Sequence, residues 1–312
     1  MKYIELVNNL LKQEVNKYEE LVLFGQNISA GSCLGGLTRN LKVKESSKVI
    51  NSTNSENSLC GFGFGLLIGG VNSILFMKQL DFLLLGIDHL VNTFNIIRNM
   101  DEIKSKASFT IMPIIVDNGY QGPQSSLNNL SDFCSIARIP GFTITNNLDA
   151  KRIISSELVK PGFRIICPSQ RLFHEEIHEE KIDFVNNDNT IFQYRTGSNV
   201  TIVCFNLSFS YGAELSNRLK KEGISSSLFS VNSPISSDWG KIIEDLKITK
   251  QLVVFEDSKS VNTNVDTLLN HISKFCELNK KIVVKREINK DWLNPTSDII
   301  EIKYNEIINK LS

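Results

Sequence analysis

Two residues that could take part in chemistry flank a glycine-rich stretch in the first third of the chain. Glu56 ends a polar run, glycines follow at 61, 63, 65, 69 and 70, and Phe82 comes just after the next apolar segment. A carboxyl group held largely out of water can act as a general acid or base. Judged by residue type alone, however, a glutamate is usually solvated and a phenylalanine is usually buried in a core. The chemical interpretation therefore depends on the surrounding pattern.

That pattern places both residues at the ends of regular elements. The dense glycines would let a helix lie against another backbone at close range. The apolar run Ser73–Met77 predicts a strand, and Asp81–Asn92 predicts a mostly buried helix. We therefore expect the carboxylate of Glu56 and the ring of Phe82 to project from rigid elements.

The same residues carry a family resemblance. An acidic residue before Gly-x-Gly-x-Gly, a strand, and then Phe82 followed by x-x-x-x-Ile-Asp-x-x-Val-Asn resembles the beta subunit of pyruvate-type 2-oxo acid dehydrogenases. These subunits belong to the transketolase-like, thiamine diphosphate-dependent class of enzymes. The resemblance implies that Glu56 hydrogen-bonds a ring nitrogen of the cofactor's aminopyrimidine and that Phe82 stacks on that ring. In such enzymes the carboxylate stabilises the tautomer whose imino group removes the thiazolium proton.

The resemblance extends over nearly the whole chain, with two departures from the family pattern. Gln26 stands in Gly25-Gln26-Asn27, where the family usually has Gly-Glu-Asp, so one charge is missing. Ser125 stands where the family has the histidine of Gln-His-Ser, which faces the substrate. A hydroxyl can hydrogen-bond a substrate oxygen, but it cannot move a proton near pH 7 as an imidazole does. Ser125 is therefore a candidate catalytic residue with a reduced role.

Strands and helices alternate along the chain, which predicts an α/β protein with two doubly wound domains. By resemblance, residues 1–175 form a transketolase-like pyrimidine-binding domain and residues 199–312 form a transketolase C-terminal-like domain. The polar and charged composition of residues 176–198 predicts a linker between them. The C-terminal domain shows no catalytic constellation of its own, and the resemblance implies that it serves assembly.

The sequence contains only half of the expected cofactor site. No Gly-Asp dipeptide occurs, although the family grips the divalent metal of thiamine diphosphate through a Gly-Asp-Gly motif. The resemblance implies that an alpha-type partner subunit holds Mg²⁺ and the diphosphate in an α2β2 heterotetramer. Three functions remain open: a 2-oxo acid dehydrogenase or decarboxylase subunit, a split transketolase-like carboligase with a non-lipoyl acceptor, and a non-catalytic scaffold.

The composition limits which classes of partner and which cellular compartment we expect for the chain. Lys plus Arg equals Asp plus Glu at 34 each, so no overall charge indicates nucleic acid or an anionic membrane as a partner. The six cysteines form no Cys-x-x-Cys pair, which is typical of buried thiols in a reducing compartment. The amphipathic N-terminus and the absence of a long apolar run argue against a signal peptide or a membrane span, so the sequence predicts a cytoplasmic protein.

Two further motifs imitate functional sites. His174-Glu-Glu-Ile-His178 matches the His-Glu-x-x-His zinc pattern, but Pro168, an acidic run and the lack of a third ligand favour a solvated segment without metal. Gly61-Phe-Gly-Phe-Gly65 lacks the spacing and the preceding strand of a dinucleotide fingerprint. His89 lies in an apolar segment and is expected to be a core histidine.

Overall fold

Two units, each built on a six-stranded sheet, make up the chain. The computed structural model describes residues 1–99, 106–118, 127–176, 181–286 and 300–311. The first unit comprises residues 1–117, 124–127 and 133–178, and the second comprises residues 118–123, 128–132 and 179–312. The predicted α/β class with two parallel-dominated sheets is confirmed.

The first sheet is entirely parallel, in the strand order β2-β1-β3-β4-β6-β5. Its strands are β1 (Leu21–Gly25), β2 (Lys48–Asn51), β3 (Asn72–Met77), β4 (Ser108–Pro113), β5 (Gly141–Ile144) and β6 (Gly162–Pro168). Every residue of the central strand β4 is buried, as expected for a parallel sheet covered on both faces. The edge strand β2 is exposed along its whole length. Its two apolar residues, Val49 and Ile50, are adjacent, so the alternation typical of a half-buried strand is missing.

Helices lie before and between these strands along the chain. They are α1 (Tyr3–Val15), α2 (Glu56–Ile68), α3 (Phe94–Asn99), α4 (Leu130–Ala137) and α5 (Asn147–Glu157). Asn146 caps the start of α5, because its side chain accepts hydrogen bonds from the backbone amides of Leu148 and Asp149. The buried carboxylate of Asp149 completes the capping box. Local sequence therefore determines where α5 begins.

The predicted close approach of a glycine-rich helix is present between α2 and the sheet. A Cβ added at Gly63 would lie 2.1 Å from the ring carbon Cζ of Phe109, so a larger residue at Gly63 would collide with β4. Around this contact the rings of Phe64, Phe109 and Phe163 pack at centroid distances of 4.8 to 5.1 Å. This aromatic cluster fixes α2, and hence its first residue Glu56, against the sheet.

The segment after β3 is not the single buried helix that the sequence predicts. A 3₁₀ helix spans Leu80–Gly86, a π-helical turn spans His89–Thr93, and α3 follows. Leu84 and Leu85 are exposed, at 50% and 64% of their surface. Within the described residues no single helix is long and apolar enough to cross a membrane, although the pair Leu80–Gly86 and His89–Asn99, bent by 68°, together meet the length and composition criteria.

The second sheet has the order β12-β11-β9-β10-β8-β7. Its strands are β7 (Phe184–Val185), β8 (Ile191–Arg195), β9 (Val200–Phe205), β10 (Ser226–Val231), β11 (Gln251–Glu256) and β12 (Lys280–Lys285). The four strands from β9 to β12 run parallel, whereas β8 pairs antiparallel with both β10 and β7. The helices are α6 (Phe209–Lys221), α7 (Gly240–Thr249), α8 (Asn264–Phe275) and α9 (Tyr304–Leu311).

The hairpin of β7 and β8 corrects the linker predicted for residues 176–198. Residues 184–195 are not a linker, because they form two strands of the second sheet. The Asn186 side chain accepts hydrogen bonds from the backbone amides of Thr190 and Ile191, and Asn189 adopts a left-handed φ of 54°. Asparagine suits both roles, so a polar run that resembles a linker is a turn between strands.

Candidate active site

The carboxylate of Glu56 lies at the carboxyl edge of the first sheet. Glu56 is the first residue of α2, which begins shortly after β2 ends at Asn51, and only 8% of its surface is exposed. A negative charge in the first turn of a helix is stabilised by the helix dipole and by free backbone amides. The expectation for an ordinary solvated glutamate is therefore wrong at this position, and the carboxylate is held largely out of water.

Gln26 contacts this carboxylate directly. Its Nε2 donates a hydrogen bond of 3.1 Å to Oε1 of Glu56. Gln26 follows the last residue of β1, Gly25, whose φ is +145° and whose carbonyl accepts the backbone amide of Ser52 at 2.9 Å. A Cβ at Gly25 would lie 2.1 Å from the carbonyl oxygen of Phe76, so only glycine permits this close approach to β3. Sequence reasoning noted the missing charge at Gln26 but not its contact with Glu56.

The ring of Phe82 lies at the same edge of the sheet. Phe82 is the third residue of the 3₁₀ helix Leu80–Gly86, which begins soon after β3 ends at Met77. Its side chain is half-buried, and the helix is tied to the end of β4 because Leu80 donates its backbone amide to the carbonyl of Ile114 at 2.9 Å. The ring therefore sits on an anchored element but is not sealed in the core.

A close contact joins the element of Phe82 to the element of Glu56. A Cβ added at Gly86 would lie 2.4 Å from Sγ of Cys60 and 3.5 Å from the carbonyl oxygen of Glu56. The end of the 3₁₀ helix thus packs directly on the first turn of α2. The structure brings together the two elements that carry the predicted cofactor-binding residues.

Cys60 is a structural thiol in this arrangement. Burial, aided by the negative charge of Glu56, raises the pKa of Cys60 to about 12. Only the thiolate is a good nucleophile, so Cys60 remains protonated and unreactive near neutral pH. Its role is to pack beneath Gly86.

Ser125 lies outside the described residues, so its predicted role stays a prediction. Buried carboxylates form hydrogen bonds at both ends of the range that contains it. On the N-terminal side, Asp117 accepts hydrogen bonds from Oγ of Ser169 at 2.8 Å and from the backbone amide of Arg171 at 2.9 Å. On the C-terminal side, Oδ1 of Asp81 accepts the backbone amide of Leu127 at 3.1 Å. Asp81 directly precedes Phe82, and sequence reasoning attached no role to it.

The histidines show no metal-binding arrangement where they are described. His174 is exposed in a turn rather than on a helix, and His178 lies outside the described residues. His89 is half-buried, and its Nδ1 lies 2.9 Å from Oγ1 of Thr93, one π-helical turn away. Across the described ranges, no group of three or more His, Cys, Asp or Glu side chains could hold a metal ion.

Sequence comparison finds relatives among beta subunits of 2-oxo acid dehydrogenases. The chain is 22% identical over 274 residues to the pyruvate dehydrogenase E1 component subunit beta of Rhizobium meliloti, a match that covers 84% of this chain and 58% of that protein. It is 23% identical over 298 residues to the 2-oxoisovalerate dehydrogenase subunit beta of Bacillus subtilis, covering 92% and 88% of the two chains. No protein-family model matches the chain.

Solved structures share the fold. A split-gene transketolase, described as an inactive beta4 tetramer, superimposes with a TM-score of 0.70 over 98% of this chain and 95% of that chain, at 15% identity. The transketolase of Campylobacter jejuni gives a TM-score of 0.66 over 99% of this chain and 44% of its own length, at 13% identity. The family resemblance is confirmed: the chain has a transketolase-like fold and is related in sequence to the beta subunits of pyruvate and 2-oxoisovalerate dehydrogenases.

Proposed function

We propose that the chain is the beta-type subunit of a thiamine diphosphate-dependent 2-oxo acid dehydrogenase or decarboxylase and that it binds the aminopyrimidine half of the cofactor. The observation that carries the proposal is the buried carboxylate of Glu56, held by Gln26 at the carboxyl edge of a parallel sheet. Ligands of open α/β sheets bind outside this edge. The relatives named above support the reaction class.

The residues present fit an aminopyrimidine ring. Glu56 offers a carboxylate oxygen to a ring nitrogen, and Phe82 offers a half-buried aromatic face on a neighbouring element. Thiamine diphosphate, when bound, supplies a thiazolium carbon that attacks a carbonyl substrate after it loses its proton. In our proposal Glu56 holds the proton at the ring nitrogen, which stabilises the tautomer that makes this loss possible.

The remaining parts of the site come from a partner subunit in this proposal. The sequence has no Gly-Asp dipeptide of the kind that would bind the metal, and the described residues offer no metal-binding group. We infer that an alpha-type subunit holds Mg²⁺ and the diphosphate, in an α2β2 heterotetramer. The isolated chain would then bind the cofactor weakly.

One residue favours a second candidate function. Ser125 occupies the place of the family's substrate-facing histidine, and a hydroxyl cannot move a proton near neutral pH. A split transketolase-like carboligase, which transfers a ketol or acyl unit to an acceptor other than lipoamide, tolerates this change better than a lipoamide-dependent dehydrogenase. A non-catalytic scaffold subunit is the third candidate.

Proton exchange at the thiazolium carbon tests whether the chain activates the cofactor. The full chain with its alpha-type partner, thiamine diphosphate and Mg²⁺ should exchange this proton far faster than the free cofactor does. Glu56→Gln should slow exchange by about 100-fold or more, the scale of a lost acid–base group. Glu14→Gln is the matched control, because Glu14 is a buried carboxylate of α1 that pairs with Lys17. If the wild-type complex exchanges the thiazolium proton no faster than free cofactor does, the chain does not activate the cofactor. The non-catalytic scaffold would then be its function.

A further inference from the structure

We propose that Gln26 is a positioning residue for Glu56, and that this chain works with a single carboxylate where the resembling family has two. This role rests on the proposed function. It belongs to Gln26, the side chain that departs from the family's Gly-Glu-Asp. Gln26 holds Oε1 of Glu56 through its amide and so directs the other carboxylate oxygen to the ring nitrogen of the cofactor.

The backbone fixes the position of Gln26. Gly25 approaches the carbonyl oxygen of Phe76 so closely that no other residue fits, and its own carbonyl accepts the amide of Ser52. These contacts tie the end of β1 to its neighbours on both sides, β3 and the residue after β2. The side chain that follows therefore leaves the sheet edge from a defined point.

The chemistry of the contact requires a hydrogen-bond donor, and the amide of Gln26 is a donor without charge. An ionised carboxylate can only accept hydrogen bonds, and the Nε2 group of glutamine donates at every pH. A glutamate in the same place would donate only when protonated. Two carboxylates at 3.1 Å cannot both ionise freely, so they would share one proton and titrate as a pair. With Gln26 in this place, Glu56 would have no second carboxylate at this contact with which to share a proton.

The surroundings leave Glu56 with this neutral partner. Among the described residues Glu56 forms no ion pair, so the amide orients the carboxylate without cancelling its charge. Gln26 is half-buried, and its hydrogen bond to Glu56 is partly shielded from water. A charge-assisted hydrogen bond in such a setting is stronger than a neutral one and fixes the geometry more firmly.

The first experiment reports the hydrogen bond without any cofactor. In the full chain labelled with ¹⁵N-glutamine, the side-chain amide of Gln26 is the pair of resonances lost in Gln26→Met. Replacing Glu56 with Ala should shift this pair, because its acceptor disappears. Resonances that stay in place would show that the contact does not exist and would overturn the inference, whatever the function of the chain.

The second experiment measures the role of the contact in the assembled complex. Gln26→Met, which keeps the length of the side chain but loses the donor, should slow thiazolium proton exchange by about 10-fold or more at every pH, as expected for a lost hydrogen bond to a charged group. Gln26→Glu should approach the wild-type rate at low pH, where a shared proton restores the donor, and fall below it as pH rises. Filling space alone would not produce this pH profile.

Asn27→Asp provides the control for charge. Asn27 is exposed, with φ at 54°, a conformation that aspartate also adopts, so this variant adds the same charge one residue away without the hydrogen bond. It should exchange at the wild-type rate. If the wild-type complex activates the cofactor but both Gln26 variants do so equally well at all pH values, the positioning role is wrong and the proposed function stands. If the wild-type complex does not activate it, the proposed function itself fails.

Discussion

Gly86 packs directly on Cys60, so that a Cβ at Gly86 would lie 2.4 Å from the Cys60 Sγ. This contact joins the 3₁₀ helix that carries Phe82 to the first turn of α2, where Glu56 lies. The two candidate cofactor-binding residues are 26 positions apart in sequence, yet a single glycine determines how closely their elements approach.

Gly86→Ala should therefore destabilise the first unit and move Phe82 relative to Glu56. Overpacking a tight contact costs about 1–3 kcal/mol of unfolding free energy. Gly65→Ala is the matched control, since it lies in α2 with nothing within 4 Å of the added methyl group. There the better helix propensity of alanine should raise stability by about 0.5–1 kcal/mol. Urea denaturation of the full chain measures both, and equal effects of the two variants would contradict the packing argument.

Phe82→Ala should weaken binding of the cofactor more than it weakens folding. The ring is half-buried, so its removal leaves a smaller cavity than a core phenylalanine would, but it loses the stacking surface proposed for the aminopyrimidine. We expect binding of thiamine diphosphate to the assembled complex to lose about 1–3 kcal/mol. Isothermal titration of the complex measures it, with the exposed Leu85→Ala of the same helix as control.

At the carboxyl edge of the first sheet, the sequence predicts candidate functional residues only where residue type and spacing indicate them. Glu56 and Phe82 stand out because a glycine run and an apolar strand separate them, and the resemblance then supplied their roles. The hydrogen bond from Gln26 to Glu56 could not be predicted, since it depends on β1 and β2 being neighbours in the sheet. Strand β2 is exposed, and its two apolar residues, Val49 and Ile50, are adjacent rather than alternating, so no periodicity reveals it.

Tertiary packing explains the other departures from the sequence predictions. The apolar run from Leu80 onwards has the composition of one buried helix, but it forms a 3₁₀ helix that ends at Gly86, where it packs on α2, and then a π-helical turn. In the second unit the fully buried parallel strand β9 is a largely apolar run, whereas β10 has three serines among its six residues. The short strand β7 was hidden, because two residues next to an asparagine-rich turn give no pattern.

Asp81 should hold the backbone at Leu127 in place. Its Oδ1 accepts the amide of Leu127, so Asp81→Leu would leave that partly buried donor without this acceptor, which costs about 1 kcal/mol. Asp81→Asn is the conservative control, because an amide oxygen can still accept the bond. Hydrogen exchange of the full chain should show faster exchange at Leu127 in Asp81→Leu than in Asp81→Asn. Unchanged protection at Leu127 in both variants would show that the bond does not stabilise this position.

In the second unit, a buried acidic pair at the end of β11 should make stability depend on pH. Burial, reinforced by the neighbouring charge of Asp257, raises the pKa of Glu256 to about 8 from an ordinary value near 4.5. The folded chain therefore holds a proton on Glu256 that the unfolded chain releases above pH 4.5. The contribution of Glu256 to the free energy of unfolding is therefore most favourable at low pH. It falls as pH rises from about 4.5 and levels off above about 8.

Glu256→Gln should remove this dependence. An amide is never ionised, and its oxygen can still accept the backbone amide of Ser258, which Glu256 accepts at 2.8 Å. The unfolding free energy of the variant, measured by urea denaturation between pH 5 and pH 8.5, should decline less with pH than that of the wild type, and the two should differ most at the alkaline end. Glu244→Gln on the exposed face of α7 is the control and should follow the wild-type curve. If the wild-type chain instead gained unfolding free energy relative to Glu256→Gln as pH rises, the assignment would be wrong. Folding would then favour the ionised carboxylate of Glu256 despite its burial.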